Sequence, residues 1–199
     1  MSARPIPARI RQALAEVLLE RQEARIPFDR ARPASVLIPL VERGGETHVW
    51  LIRRTETMSS HRGQVAFPGG KRDPEDRDSM VTAVREVHEE LGFAPESIDI
   101  LGRLDDVPTT TGFVITPYVG WLAHDVAPQP NPAEIARAFC VPLASFVFER
   151  PRPQFFRGKG LTRIVPSWHV DGEIVWGATG RIMGTLAAIV RDVMRRHGL

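Results

Sequence analysis

Three glutamates, Glu86, Glu89 and Glu90, fall in one short stretch of TAVREVHEELGF, residues 82–93. Apolar periodicity predicts a helix here from about Ser79 to Leu91, with Asp78 as its N-cap and Gly92 as its stop. Like charges one turn apart cost a helix roughly 0.2–0.5 kcal/mol per pair, and acids near the C-terminus oppose the macrodipole. Both local rules are broken at one place, which demands positive charge from outside the helix. At about 100° per residue, Met80, Val84, Val87 and Leu91 form a stripe that predicts the core face, with the three glutamates on the nearly opposite side. Such a carboxylate cluster is a hard-oxygen site for Mg²⁺ or Mn²⁺. A solvated acidic face is the alternative.

The segment just before the helix is AFPGGKRD, residues 66–73. Gly69 and Gly70 let backbone approach a ligand closely, and the Gly70 carbonyl can itself ligate a cation; a simple tight turn is the alternative. The segment is not a phosphate-binding P-loop, because Lys71 is followed by Arg72 and the first glycine is misplaced. Nor do His88 and Glu89 begin a zinc-protease motif, since Gly92 stands where the second histidine is required.

At 199 residues the chain suits one domain, able to bury roughly 70% of its unfolded surface. The pI of 9.2 is high although the formal net charge is only +2. With one Tyr, one Cys and only Lys71 and Lys159 as lysines, few groups titrate above neutrality, so the pI is a weak sign of nucleic-acid binding and no such partner is expected. The lone Cys140 excludes an intrachain disulfide and a thiolate metal cluster, and suits a reducing cytoplasm. No apolar run is long enough to span a bilayer. The Arg-rich N-terminus lacks a secretory hydrophobic region, and Glu16, Glu20 and Glu23 argue against a transit peptide. A cytoplasmic protein without a membrane partner is expected, with the oligomeric state open, a homodimer included.

The elements that must position the glutamates read as follows. A helix is predicted over about Pro7–Gln22, then a linker, IPFDRARPA. SVLIPLVERGGETHVWLIRR reads as a hairpin turning at Gly44–Gly45. SSHRGQVAFPGGKRDPEDRD reads as a long loop with a short β-like centre. After the acidic helix come strands broken by a polar turn at Pro108–Gly112, then a short extended piece and short helix in PAEIARAFCVPLASFVF. A second hairpin is predicted to turn at Asp171–Gly172, before a final helix from about Thr179 to Arg196. The irregular interleaving favours a mixed sheet flanked by helices over a doubly wound parallel fold.

GGKRDPEDRDSMVTAVREVHEELGF, taken whole, resembles the Nudix box: Gly, five residues, Glu, seven residues, then Arg-Glu-apolar-x-Glu-Glu-x-Gly-apolar. Its second half is matched by Arg85, Glu86, Val87, Glu89, Glu90, Gly92 and Phe93. Its first half departs. Gly70 to Arg85 is one residue longer than the pattern, and counting back from Arg85 the first glutamate's slot holds Arg77, between Asp76 and Asp78. The resemblance implies an α/β/α sandwich around a mixed β-sheet, with extra N- and C-terminal helices. It implies one Nudix domain over 1–199, with an N-terminal helix and linker in 1–30 and a core over 34–199.

The stretch LIRRTETMSSHRGQVAFPGG is similar to the additional motif of the coenzyme A pyrophosphatase branch, through Leu51, Arg54, His61 or Arg62, Gly63, Phe67 and Pro68. EIVWGATGRIMGTLAAIV is similar to that branch's C-terminal strand and helix. These resemblances imply Mg²⁺- or Mn²⁺-dependent hydrolysis of coenzyme A or acyl-coenzyme A to 3′,5′-ADP and (acyl-)4′-phosphopantetheine. Glu86 and Glu90 would be the metal ligands, with Glu89 as ligand or proton acceptor and the Gly70 carbonyl alongside. Arg85 would orient a carboxylate, and Glu134 would supply a further catalytic or metal-binding acid, with a plain helix-start glutamate as the alternative. Arg54, His61, Arg62, Gly63 and Arg72 would bind the nucleotide, with Arg53, Arg157 and Arg163 as further candidate cations. Two other readings stay open: hydrolysis of another nucleoside diphosphate such as NADH or ADP-ribose, and a non-catalytic nucleotide-binding regulator.

Overall fold

The computed structural model describes residues 4–28, 31–56, 63–158 and 161–199. Strands β1 (Arg32–Arg43) and β2 (Glu46–Arg54) form the predicted hairpin, with Gly44 and Gly45 both at positive φ, as a tight turn matched to strand twist requires. Two short strands follow in the long loop, β3 (Val65–Ala66) and β4 (Gly69–Lys71). Next come β5 (Ile98–Arg103), β6 (Val107–Pro108), β7 (Phe113–Leu122) and β8 (Ile135–Pro142). These make an eight-stranded sheet with the main order β3-β2-β1-β7-β5; β4 also pairs with β1, β6 with β7 and β8 with β2. β1 lies antiparallel to β2 and parallel to β7, so the sheet is mixed.

Helices cover both faces. On one, α2 (Ser79–Leu91) packs Ala83, Val87 and Leu91 against Leu37, Val41, Trp50 and Ile52. On the other, α1 (Ile10–Glu20) and the last helix pack Leu14, Leu18, Leu186 and Val190 against Ile38, Leu40, Leu51 and Val119. The short α3 (Ala144–Val147) precedes a second, three-stranded sheet of β9 (Arg152–Gly158), β10 (Leu161–Val170) and β11 (Glu173–Val175), and α4 (Gly177–His197) closes the chain. The hairpin at Asp171–Gly172 is as predicted, but β9 is an element the sequence reading lacked. It carries Pro153, which discourages a strand assignment, yet β9 is an edge strand, where proline is tolerated. No helix among the described residues is long and apolar enough to cross a membrane.

α2 spans the predicted residues. The Asp78 carboxylate accepts from the N–H groups of Met80 and Val81 at 3.0 and 2.9 Å, and Gly92 ends the helix in the left-handed conformation. Its buried face, however, differs from the expected stripe. Thr82, Ala83, Val87, Glu90 and Leu91 are buried, whereas Met80 and Val84 are only half-buried. Glu90 stands about 60° round the helix from Val87, at the edge of the core face and not opposite it. Apolar periodicity centred the face one residue-width away because it counts only apolar side chains.

Candidate active site

The two glycines of β4 bring its backbone against α2. β4 pairs with β1, Gly69 opposite Val36 and Gly70 opposite Ser35. Gly69 has φ +152, and a Cβ there would sit 2.6 Å from the Val36 Cα. A Cβ on Gly70 would sit 2.5 Å from the Glu86 carboxyl carbon, so Glu86 lies directly on the glycine. One turn further on, the Glu90 Oε2 accepts from the Gly69 N–H at 2.9 Å.

The positive charge demanded by the acidic turn comes from two arginines. Arg54, at the end of β2, donates from Nη1 to the Glu90 Oε1 at 3.0 Å. Its Nη2 lies 3.5 Å from Glu134, in the loop before β8. That loop is tied to the C-terminal end of α2, where the Asn131 and Gln129 N–H groups donate to the carbonyls of Glu90 and Leu91. The Glu90 side chain is 2% exposed. Burial pushes its pKa up to about 7, against the opposing pull of Arg54 and the Gly69 N–H. Burial likewise raises that of Glu86, opposed by Arg85.

Arg85 serves the other two acids. Its Nη1 donates to Glu89 at 2.9 Å and its Nη2 to Glu86 at 3.1 Å. Its Nε and Nη2 hold both oxygens of Asp76, each at 3.1 Å. Asp76 is buried, and also accepts from the Asp73 N–H and the Thr82 hydroxyl at 3.0 and 2.9 Å. The Arg85 bond is the chief reason its pKa is pulled down to about 2. Spacing from Arg85 pointed to Arg77, but Arg77 is 79% exposed and, among the described residues, pairs with Asp78, so Asp76 supplies the carboxylate at that end of the loop that faces Arg85.

The remaining candidates divide. Arg72 donates to the carbonyls of Asp76 and Arg77, closing the loop before α2. Arg53 points away from Arg54, its Nη1 3.7 Å from Glu173 on β11. Gly63, at φ +61, precedes Gln64, whose carbonyl accepts from the Arg54 N–H. His61 and Arg62 lie outside the described residues, as do the side chains of Arg157 and Arg163. The contacts that sequence reasoning missed are the Gly69 N–H and the Thr82 hydroxyl. The paired glycines hinted at the first, and nothing local marked the second.

Among the described residues, no three His, Cys, Asp or Glu side chains converge on a ready-made metal position. Glu86 and Glu89 pair with Arg85, and Glu90 with Arg54. The donor set itself, carboxylates against a glycine backbone, is all hard oxygen and suits Mg²⁺ or Mn²⁺. Two surface hollows of about 880 and 720 Å³ include none of these carboxylates in their walls.

The family model for the NUDIX domain matches residues 31–160, which contain the β4 glycines, Arg54, Asp76, Arg85, the three glutamates of α2 and Glu134. The chain belongs to the Nudix superfamily. Its relatives are Nudix hydrolases. It is 37% identical over 168 residues to the uncharacterized Nudix hydrolase NudL of Pectobacterium atrosepticum, covering 83% of this chain and 86% of that one. It is 38% identical over 129 residues to the mouse peroxisomal coenzyme A diphosphatase NUDT7, covering 65% of this chain and 53% of that one. Among solved structures, a C. elegans Ap4A hydrolase binary complex matches with a TM-score of 0.54 at 15% identity, over 83% of this chain and 98% of that one. A MutT/nudix family protein from Enterococcus faecalis also gives 0.54, at 16% identity, over 93% and 74%. These two show the fold alone. The Nudix helix is α2, and the expected sandwich about a mixed sheet is the fold observed.

Proposed function

We propose that this Nudix hydrolase cleaves the pyrophosphate bond of coenzyme A or an acyl-coenzyme A with Mg²⁺ or Mn²⁺, giving 3′,5′-ADP and (acyl-)4′-phosphopantetheine. The observation that carries the reading is the Arg54–Glu90 ion pair. It joins the upstream segment, which resembles the coenzyme A branch, to the acidic helix that would serve any diphosphate. The similarity to a coenzyme A diphosphatase supports the same substrate class. A cytoplasmic site of action suits the single thiol, Cys140.

In this reading Glu86, Glu90 and the Gly70 carbonyl would hold the cation, with Glu89 beside them. Bound there, such an ion neutralises diphosphate charge and lowers the pKa of a water. The chain's own groups do the rest. Arg85, fixed by Asp76, keeps Glu86 and Glu89 in place. Glu89, 54% exposed, is the first candidate to take a proton from the attacking water. Glu134, 41% exposed and beside Arg54, is the second candidate for that role. Arg54 and Arg62 bind phosphate oxygens, a task suited to the guanidinium fork. Water adds to one phosphorus, the bond to the bridging oxygen breaks, and the proton leaves through the carboxylate.

Purified protein assayed against coenzyme A, acyl-coenzyme A, NADH and ADP-ribose, with each metal, tests this. Coenzyme A or its thioesters should be preferred. Preference for NADH or ADP-ribose would move the chain to another substrate group, and nucleotide binding without hydrolysis would make it a regulator.

A further inference from the structure

We propose that Arg54 is a counterion competing with the metal for Glu90, so that cation binding frees its guanidinium for the substrate and couples the two ligands. This rests on the metal-dependent reading above. Both oxygens of the buried Glu90 are committed to protein donors, Oε1 to Arg54 at 3.0 Å and Oε2 to the Gly69 N–H at 2.9 Å. The two donors are not equally movable. The Gly69 N–H belongs to backbone held in β4 by its pairing with Val36. Arg54 reaches Glu90 through a long, rotatable side chain, and its other nitrogen already rests 3.5 Å from the 41%-exposed Glu134. A dication on Oε1 repels the guanidinium strongly at this depth, so Arg54 is the donor that gives way. Its remaining contact, Glu134, leads it towards solvent, where a diphosphate presents acceptor oxygens.

Arg85 is built differently. Besides Glu86 and Glu89 it has two bonds to the buried Asp76, so loss of one acid to a metal leaves it anchored. The acidic turn is thus neutralised by one fixed arginine and one releasable one. By linkage, whatever the metal gains from the substrate's capture of Arg54, the substrate gains from the metal.

The test is Mn²⁺ binding without nucleotide, read from the electron paramagnetic resonance of the free ion at about pH 8.5, above the carboxylate range. Arg54→Gln should bind Mn²⁺ about ten- to a hundredfold more tightly than wild type, the factor for a charge-assisted hydrogen bond no longer broken. Arg54→Lys, which keeps the charge but loses the fork, should fall between them. A methylene-bridged diphosphate analogue should tighten Mn²⁺ binding less in Arg54→Gln than in wild type. Equal or weaker Mn²⁺ binding by Arg54→Gln, with Glu90→Gln abolishing it, overturns the competition and leaves the metal site standing. Equal Mn²⁺ binding by wild type and Glu90→Gln overturns the metal reading and this inference with it. Should Arg54→Gln not fold, Arg54→Lys decides: tighter binding than wild type supports the competition, and equal or weaker binding overturns it.

Discussion

Glu90 is a carboxylate whose nearly complete burial is matched by donors far away in sequence, 36 residues to Arg54 and 21 to Gly69. Glu90→Gln keeps size and helix propensity but removes the charge that answers Arg54 and sets an amide N–H against one of the two donors, so hydrolysis should be almost completely lost and the melting temperature without added metal should also fall. Turnover like that of wild type would remove Glu90 from the site. Arg54→Ala should lower kcat/KM for coenzyme A about ten- to a hundredfold, as expected for one charge-assisted contact. Since Arg54 touches the Nudix helix, dephospho-coenzyme A should suffer equally; a loss confined to coenzyme A would place Arg54 at the 3′-phosphate. Asp76 gives a pH signature. Its folded pKa of about 2 lies below the ordinary value of 3.8, so its contribution is full above the ordinary value and is lost as pH falls through about 2. Because Arg85 is 25% exposed, we expect about 1–2 kcal/mol from the pair. Asp76→Asn should remove that increment and flatten the acid limb of a urea-denaturation series; an unchanged limb would contradict the pairing. At this scale the sequence announced that acids were crowded and that cations must answer them. It could not say that Asp76 and not Arg77 fills the site, because the residue count of a loop does not fix which side chain turns inward.

The Nudix helix and β4 act as one unit. The ends of α2 were legible because Asp78 and Gly92 carry the chemistry of caps, and Asp78→Ala should destabilise by about 1 kcal/mol in chemical denaturation. Its inward face was not, since Thr82 and Glu90 are buried by hydrogen bonds and an ion pair that no apolar pattern encodes. The glycines of β4 make a sharper pair of tests. Gly69→Ala would drive a Cβ into β1 backbone at a φ of +152, and should destabilise by about 2–3 kcal/mol. In Gly70→Ala the nearest atoms to the new Cβ are those of the movable Glu86 carboxylate, so it should cost less stability but displace that acid and lower kcat. Comparable stability losses in both variants would show that Gly70 is there for packing alone. β9 marks the other limit of local reading, as a strand containing Pro153 becomes recognisable only once its partner β10 and its edge position are known.

For the molecule as a whole, the mixed sheet separates two tasks. One face buries the larger core under α1 and α4; the other holds α2 and the acidic turn. Adjacent residues of β2 show the division, with Arg53 directed to Glu173 of the second sheet and Arg54 to the Nudix helix. The layering was legible because the helix patterns are long and amphipathic, whereas the sheet order was not, since the parallel pairing of β1 with β7 joins residues about 80 apart. Under the proposed function, this architecture would direct metal-dependent diphosphate hydrolysis to coenzyme A. The most direct test is kcat/KM for coenzyme A, NADH and ADP-ribose under one saturating Mg²⁺ concentration. Coenzyme A should exceed both others by at least about tenfold. A higher value for NADH or ADP-ribose would contradict it.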